Sequence, residues 1–163
     1  MTALWQDADT ATNEIEADCS PDAVFAVLAD GWLYPTWVVG ASRMRDVDDR
    51  WPEPGSRLHH SVGAWPALLD DITESLEWQP QRRAVFKARG WPLGSARVEM
   101  EVEPRGDGCL IRITENVQDG PGLLILKPIR DSMIHLRNIE TLKRLRYLAE
   151  GGAGADNAWP SGT

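Results

Sequence analysis

A chain of 163 residues with 42% hydrophobic and 26% charged residues has the size of one domain and can bury about two thirds of the surface its unfolded form would expose. Its formal net charge of −8 argues against nucleic acid and acidic membrane surfaces as partners. No apolar run approaches the roughly 18 residues of a membrane span, which argues against integral membrane association.

The opening segment "MTALWQDADTATNEIEADC" has neither a basic n-region nor an apolar h-region, so the cytoplasm is the expected compartment. Residues 1–11 and 151–163, the latter ending "GGAGADNAWPSGT", read as flexible or disordered tails around one domain at 12–150. A short strand, "TNEIEADC", leads into "SPDAVFAVLAD". There Ser20 is a natural N-cap, Pro21 fits the first helical position, and Val24, Phe25, Val27 and Leu28 form an apolar stripe. "GWLYPTWVVGA" follows as a second, bent helical turn broken by Gly31 and Pro35.

Between residues 42 and 118 six strand-like runs are separated by turns containing Pro or Gly, the pattern of antiparallel hairpins. In the second, "SRLHHSVGAW", alternation sends His60 inward with Leu58 and Val62, and His59 outward with Arg57 and Ser61. Unless a bulge intervenes, the pair therefore cannot share a metal, and neither H-x-H nor H-E-x-x-H occurs, so no metal site is expected. Three fates remain open for His60: a hydrogen-bonded wall residue, a ligand contact or a proton carrier.

The fifth run puts Ala96, Val98, Met100 and Val102 on one face against Arg97, Glu99, Glu101 and Glu103 on the other. After the tight turn "RGDG", the sixth returns with Cys109, Ile111 and Ile113 inward, and Glu115 continues that series. An inward carboxylate must be paired, hydrogen-bonded or hydrated. Glu115 is either a polar anchor or base at a cavity mouth, or a salt-bridge partner of a nearby Arg or a side chain turned to solvent. Cys19 and Cys109 show no C-x-x-C spacing and read as buried small hydrophobes.

The longest element is a helix starting at Pro128 and stopped by Gly151, whose apolar stripe of Ile134, Thr141, Leu142, Leu145, Leu148 and Ala149 is interrupted by Asn138. Asn138 must satisfy donors and acceptor with a ligand, a cavity water or a loop carbonyl. Ile129, Met133 and Leu136 form a second face, so this half is covered on both sides or contributes to a homodimer contact. The basic "KRLR" at 143–146 sits near the helix end, where cations complement the dipole.

One strand, two short helices, six antiparallel strands and a long last helix resemble the helix-grip fold of the START-like (SRPBCC) superfamily. The stretches "SPDAVFAVLAD", "WPEPGSRLHHSVGAWP", "ARGWPLGSARVEMEV", "ENVQDGPG" and "LRNIETLKRL" carry that likeness and are most similar to a small actinobacterial polyketide cyclase/dehydrase-like branch. The resemblance implies an α+β fold with a curved antiparallel sheet of about seven strands around the C-terminal helix, enclosing a cavity. It also implies that the "RN" of that helix turns Asn138 inward and Arg137 away. Trp32, Trp37, Trp65 and Trp91 fall at element ends, where this fold has its cavity entrance, with packing under loops as the alternative for each.

The expected function is binding of a small or medium hydrophobic ligand, lipid, polyketide or isoprenoid-like, with no cofactor. Val98, Met100, Ile111, Ile113, Ile134 and Leu142 would supply walls, Trp37, Trp65 and Trp91 aromatic surface, and His60, Glu115 and Asn138 orientation. The rival is a polyketide cyclase or dehydratase in which His60 or Glu115 moves a proton. A third role is delivery of the ligand to a partner through the second helix face. No nucleophile or nucleotide-binding motif is present.

Overall fold

The computed structural model describes residues 10–89 and 94–155. Trp5, Trp91, Trp159 and the outer parts of both expected tails lie outside the described residues.

The first strand, β1 (Thr10–Ala17), starts two residues inside the segment expected as tail. Helix α1 (Pro21–Ala29) follows, with the Ser20 hydroxyl accepting from the Ala23 N–H at 3.3 Å, a cap worth about 1 kcal/mol. Its apolar stripe of Val24, Phe25, Val27 and Leu28 is buried. A 3-10 turn at Gly31–Leu33, capped by the Asp30 carboxylate on Trp32 N, runs into the one-turn helix α2 (Tyr34–Trp37). This is the bend expected from the Gly and Pro in that stretch.

Six strands come next: β2 (Ala41–Val47), β3 (Arg57–Val62), β4 (Leu69–Gln79), β5 (Arg83–Arg89), β6 (Ser95–Arg105) and β7 (Gly108–Asp119). All neighbours are antiparallel in the order β1-β7-β6-β5-β4-β3-β2, so β1 closes against the last strand. Helix α3 (Lys127–Glu150) packs on β1, β7, α1 and α2. This is the helix-grip α+β fold.

The outer sheet face is charged: Arg112 reaches Glu14 at 2.6 Å, Glu101 at 3.3 Å and Glu103 at 3.5 Å. Such exposed pairs add at most about 1 kcal/mol each and mainly keep that face in water. No described helix is long and apolar enough to cross a membrane.

The inner face changes character along the strands. At one end Met100, Val102, Ile111 and Cys109 pack with Leu142, Leu145 and Ala149 of α3 and with α1 into a solid core. At the other end the inward residues shrink to Ala88 and Ala96, which face each other in the β5–β6 register. The sheet cannot close on the helix where the side chains are that short, and a cavity of about 350 Å³ remains.

Candidate functional site

The cavity lies between the sheet, α2 and the N-terminal half of α3. Gly40, Gly63 and Gly94, in loops, and Gly122, in a 3-10 turn, are among its lining residues. Its apolar wall includes Phe86, Val98, Ile113, Val117 and Ile134. At about 350 Å³ it is within the range of small-molecule sites.

His60 and His59 part company as the alternation requires. His59 turns out to Asp48, with Nε2 3.2 Å from Oδ1, whereas His60 is 2% exposed and lines the cavity. His60 Nε2 lies 3.0 Å from Thr73 Oγ1, and the Tyr34 hydroxyl meets the same oxygen at 2.9 Å. The Tyr34 ring sits 5.0 Å from the His60 ring and 5.4 Å, edge to face, from Trp37. Burial pushes the Tyr34 phenol up to about 12. Burial also lowers the His60 pKa, against the Asp71 carboxylate that raises it, while Arg45 and His59 push it further down.

Trp37 lines the cavity as expected and is buried. Asn138 does the same from α3, beside Thr141, whose hydroxyl accepts from the Val39 N–H at 3.3 Å. His60 Nδ1, Trp37 Nε1 and Asn138 Nδ2 are buried and have no hydrogen-bond partner among the described residues.

Glu115 is 5% exposed and faces inward from β7. Its carboxylate accepts from Arg137 of α3, so the salt-bridge alternative holds, and it does so at the cavity wall. Arg137 is a correction: it was expected to point away, but its long side chain reaches back from the helix flank to the carboxylate and lines the cavity. Four other expectations are corrected as well. Met100, Ile111 and Leu142 are buried in the solid core and do not line the cavity, because alternation fixes a side chain's face but not its depth along the strand. Trp65 is 85% exposed and also does not line it.

Several residues of the site, lining the cavity or bonded to its lining, escaped the sequence. Tyr34 sits in the recognisable "LYPTW" turn, yet nothing local distinguishes it from a core aromatic. Arg130 lines the cavity while buried, with a guanidinium N–H donating to the Gly122 carbonyl at 3.5 Å. Thr73 was hidden because β4 turns Asp71, Thr73 and Ser75 inward and leaves Ile72 and Leu76 more exposed, the reverse of hydrophobic patterning. Of α3's second face Met133 lines the cavity, while Ile129 and Leu136 stay exposed, so this chain does not cover both sides. Among the described residues no group of His, Cys, Asp and Glu is arranged to hold a metal ion.

A sheet gripping a helix around a part-apolar cavity defines the START-like class. Within it, the chain belongs to the polyketide cyclase/dehydrase and lipid transport family, whose model matches residues 8–149. Among solved structures it is similar to a protein of Nitrosomonas europaea, at 17% identity and a TM-score of 0.67, covering 88% of this chain and 95% of that one. The di-domain ARO/CYC StfQ from the steffimycin biosynthetic pathway matches at 13% identity and a TM-score of 0.64, covering 87% of this chain and 50% of that chain. The Aha1 dimer from Colwellia psychrerythraea matches at 14% identity and a TM-score of 0.59, covering 88% and 97%. Identities this low establish a shared fold alone. No curated protein matches the sequence.

Proposed function

We propose that residues 12–150 form a domain that binds a small or medium hydrophobic ligand, a lipid, polyketide or isoprenoid-like molecule, between the sheet and α3. The observation that carries this reading is the 350 Å³ cavity, apolar over most of its wall but with buried polar side chains turned into it. Val98, Ile113 and Ile134 supply the greasy contact; Trp37, His60, Glu115 and Asn138 set orientation. The family's description, joining polyketide chemistry with lipid transport, supports the ligand class.

Extraction and native mass spectrometry of the purified protein test it. A retained apolar molecule, displaced in a variant with a filled cavity, is the expected result. The same recovery from both proteins sinks the reading.

A second reading, cyclase or dehydratase, is favoured by a buried His60 that lines the cavity and whose pKa burial lowers. His60→Gln and Glu115→Gln assayed on a cyclisable polyketide should each cut turnover at least tenfold, a loss within the usual range for general acid–base groups. Unchanged turnover in both removes them as proton carriers.

The exposed Leu126, Ile129 and Leu136 support self-association along α3. Sedimentation that shows only monomer at all concentrations rules it out.

A further inference from the structure

The polar groups of the cavity are distributed unevenly. Arg137 is committed to Glu115, and Arg130 stands two turns of α3, about 12 Å, from Asn138 and bonds the Gly122 carbonyl. Arg89 closes the exposed end of β5. By contrast, Trp37, His60 and Asn138 gather at one corner. The Tyr34 ring touches the rings of both Trp37 and His60. Val39, two residues beyond Trp37, bonds Thr141, which lies one turn from Asn138.

The donors at that corner follow from residue type. An indole nitrogen is a donor only, and the Asn138 amide nitrogen is a donor. The Tyr34 hydroxyl and His60 Nε2 both meet Thr73 Oγ1, at 2.9 and 3.0 Å, an arrangement that either tautomer of the His60 ring satisfies. The Trp37 Nε1 and Asn138 Nδ2 atoms, which have no hydrogen-bond partner among the described residues, are therefore two N–H donors turned to the same corner.

We infer that this corner docks the oxygen of a neutral carbonyl compound, a ketone or ester with an apolar body, in preference to a hydrocarbon or an acid. The inference rests on the cavity-binding reading above and narrows it. A hydrocarbon would leave the Trp37 and Asn138 donors unmatched, each a cost that one of a carbonyl oxygen's two lone pairs relieves. A carboxylate would have to be stripped of water at a cavity whose Arg137 is already paired with Glu115 and whose Arg130 is bonded to the Gly122 carbonyl.

The test compares shape-matched probes on the intact wild-type protein: 2-acetylnaphthalene, 2-ethylnaphthalene and 2-naphthoate, by calorimetry. The ketone should bind about tenfold more tightly than the ethyl compound, and the acid more weakly than the ketone. Infrared difference spectra of the 13C-carbonyl ketone should show its stretch below the value in hexane, as hydrogen bonding requires. Trp37→Phe and Asn138→Leu should each bring the ratio of ketone to 2-ethylnaphthalene affinity down to within about twofold of one. Equal affinity for ketone and hydrocarbon, or a carbonyl stretch at its hexane value, overturns the inference and leaves the cavity reading standing. Tighter binding of the acid overturns the preference for a neutral ligand. Failure of every probe to bind removes both.

Discussion

At the residue scale the molecule turns on His60. Its neutral form is favoured in the folded state, since burial lowers its pKa from 6.5 against the opposing Asp71 carboxylate. Well above pH 6.5 neither folded nor unfolded His60 carries a proton, and its contribution to stability is complete. As pH falls below that value the unfolded chain takes up a proton that the folded chain refuses, so stability declines until the folded-state pKa is reached. The slope is at most about 1.4 kcal/mol per pH unit. Urea midpoints between pH 7.5 and 5 should fall in the wild type and fall less steeply in His60→Gln; parallel curves would show that His60 is not the group responsible. The opposite orientations of His59 and His60 were legible from a period of two in "RLHHSV". The partner Thr73 was not, because apolar patterning assigns Ile72 inward, and β4 does the reverse by pairing its polar side chains with Tyr34 and His60. Arg137 shows the same limit from the helix side: spacing locates its Cα on a flank, but a side chain with four flexible torsions goes where a buried carboxylate waits.

At the element scale, the question is what ties α3 to the sheet beside a cavity that removes packing between them. The Glu115–Arg137 pair is one such tie, joining β7 to the helix with the carboxylate almost fully buried. Arg137→Met would strand that charge and should cost about 2–3 kcal/mol, below the range for a fully buried pair because the guanidinium is partly in water. Glu115→Gln should cost less. The double variant should recover about 1 kcal/mol or more relative to additivity, read from urea unfolding; strict additivity would show that the two do not interact. A second constraint lies at Gly94, where β6 begins. It has φ +104°, and a Cβ there would run into the Asp119 carbonyl of β7. Next to it the Asp119 carboxylate accepts from Ser95 N at 2.9 Å and Ser95 Oγ at 2.7 Å, which holds its pKa below the usual carboxylate value. Gly94→Ala should cost about 1–3 kcal/mol in chemical denaturation, and a loss of under about 0.5 kcal/mol would contradict the conformation. The elements themselves were readable: Ser20, Pro21 and the stripe on α1, alternation in β6 and β7, and the buried stripe of α3 all fall where the sequence puts them. Those signals repeat every few residues and survive local error. The Glu115 tie is a single long-range contact with no periodicity to announce it.

At the scale of the whole molecule, one gradient of side-chain size divides solid core from cavity. From the Met100 end to the Ala96 end of β6 the inward residues fall in volume, and at the far end Ala96 meets the equally small Ala88 of β5. The sequence displayed this gradient, but it could be interpreted only once α3's position against the sheet was known, which is why Met100, Ile111 and Leu142 looked like cavity wall from the chain alone. If the hollow exists to hold a ligand, filling it should stabilise the protein and cost it that ligand. Ala96→Leu adds three carbons at a half-buried site that faces the hollow. At about 0.8 kcal/mol per buried carbon, less about 1 kcal/mol of rotamer entropy, the variant should gain about 1 kcal/mol. Ala88→Leu, on the opposing strand, should behave alike. Urea unfolding and calorimetry on the same preparations distinguish two cases. A more stable protein with much weakened uptake of apolar ligand means that the space is kept open at the expense of stability, whereas a more stable protein that still binds at wild-type affinity means that the ligand is held somewhere other than between the sheet and its last helix.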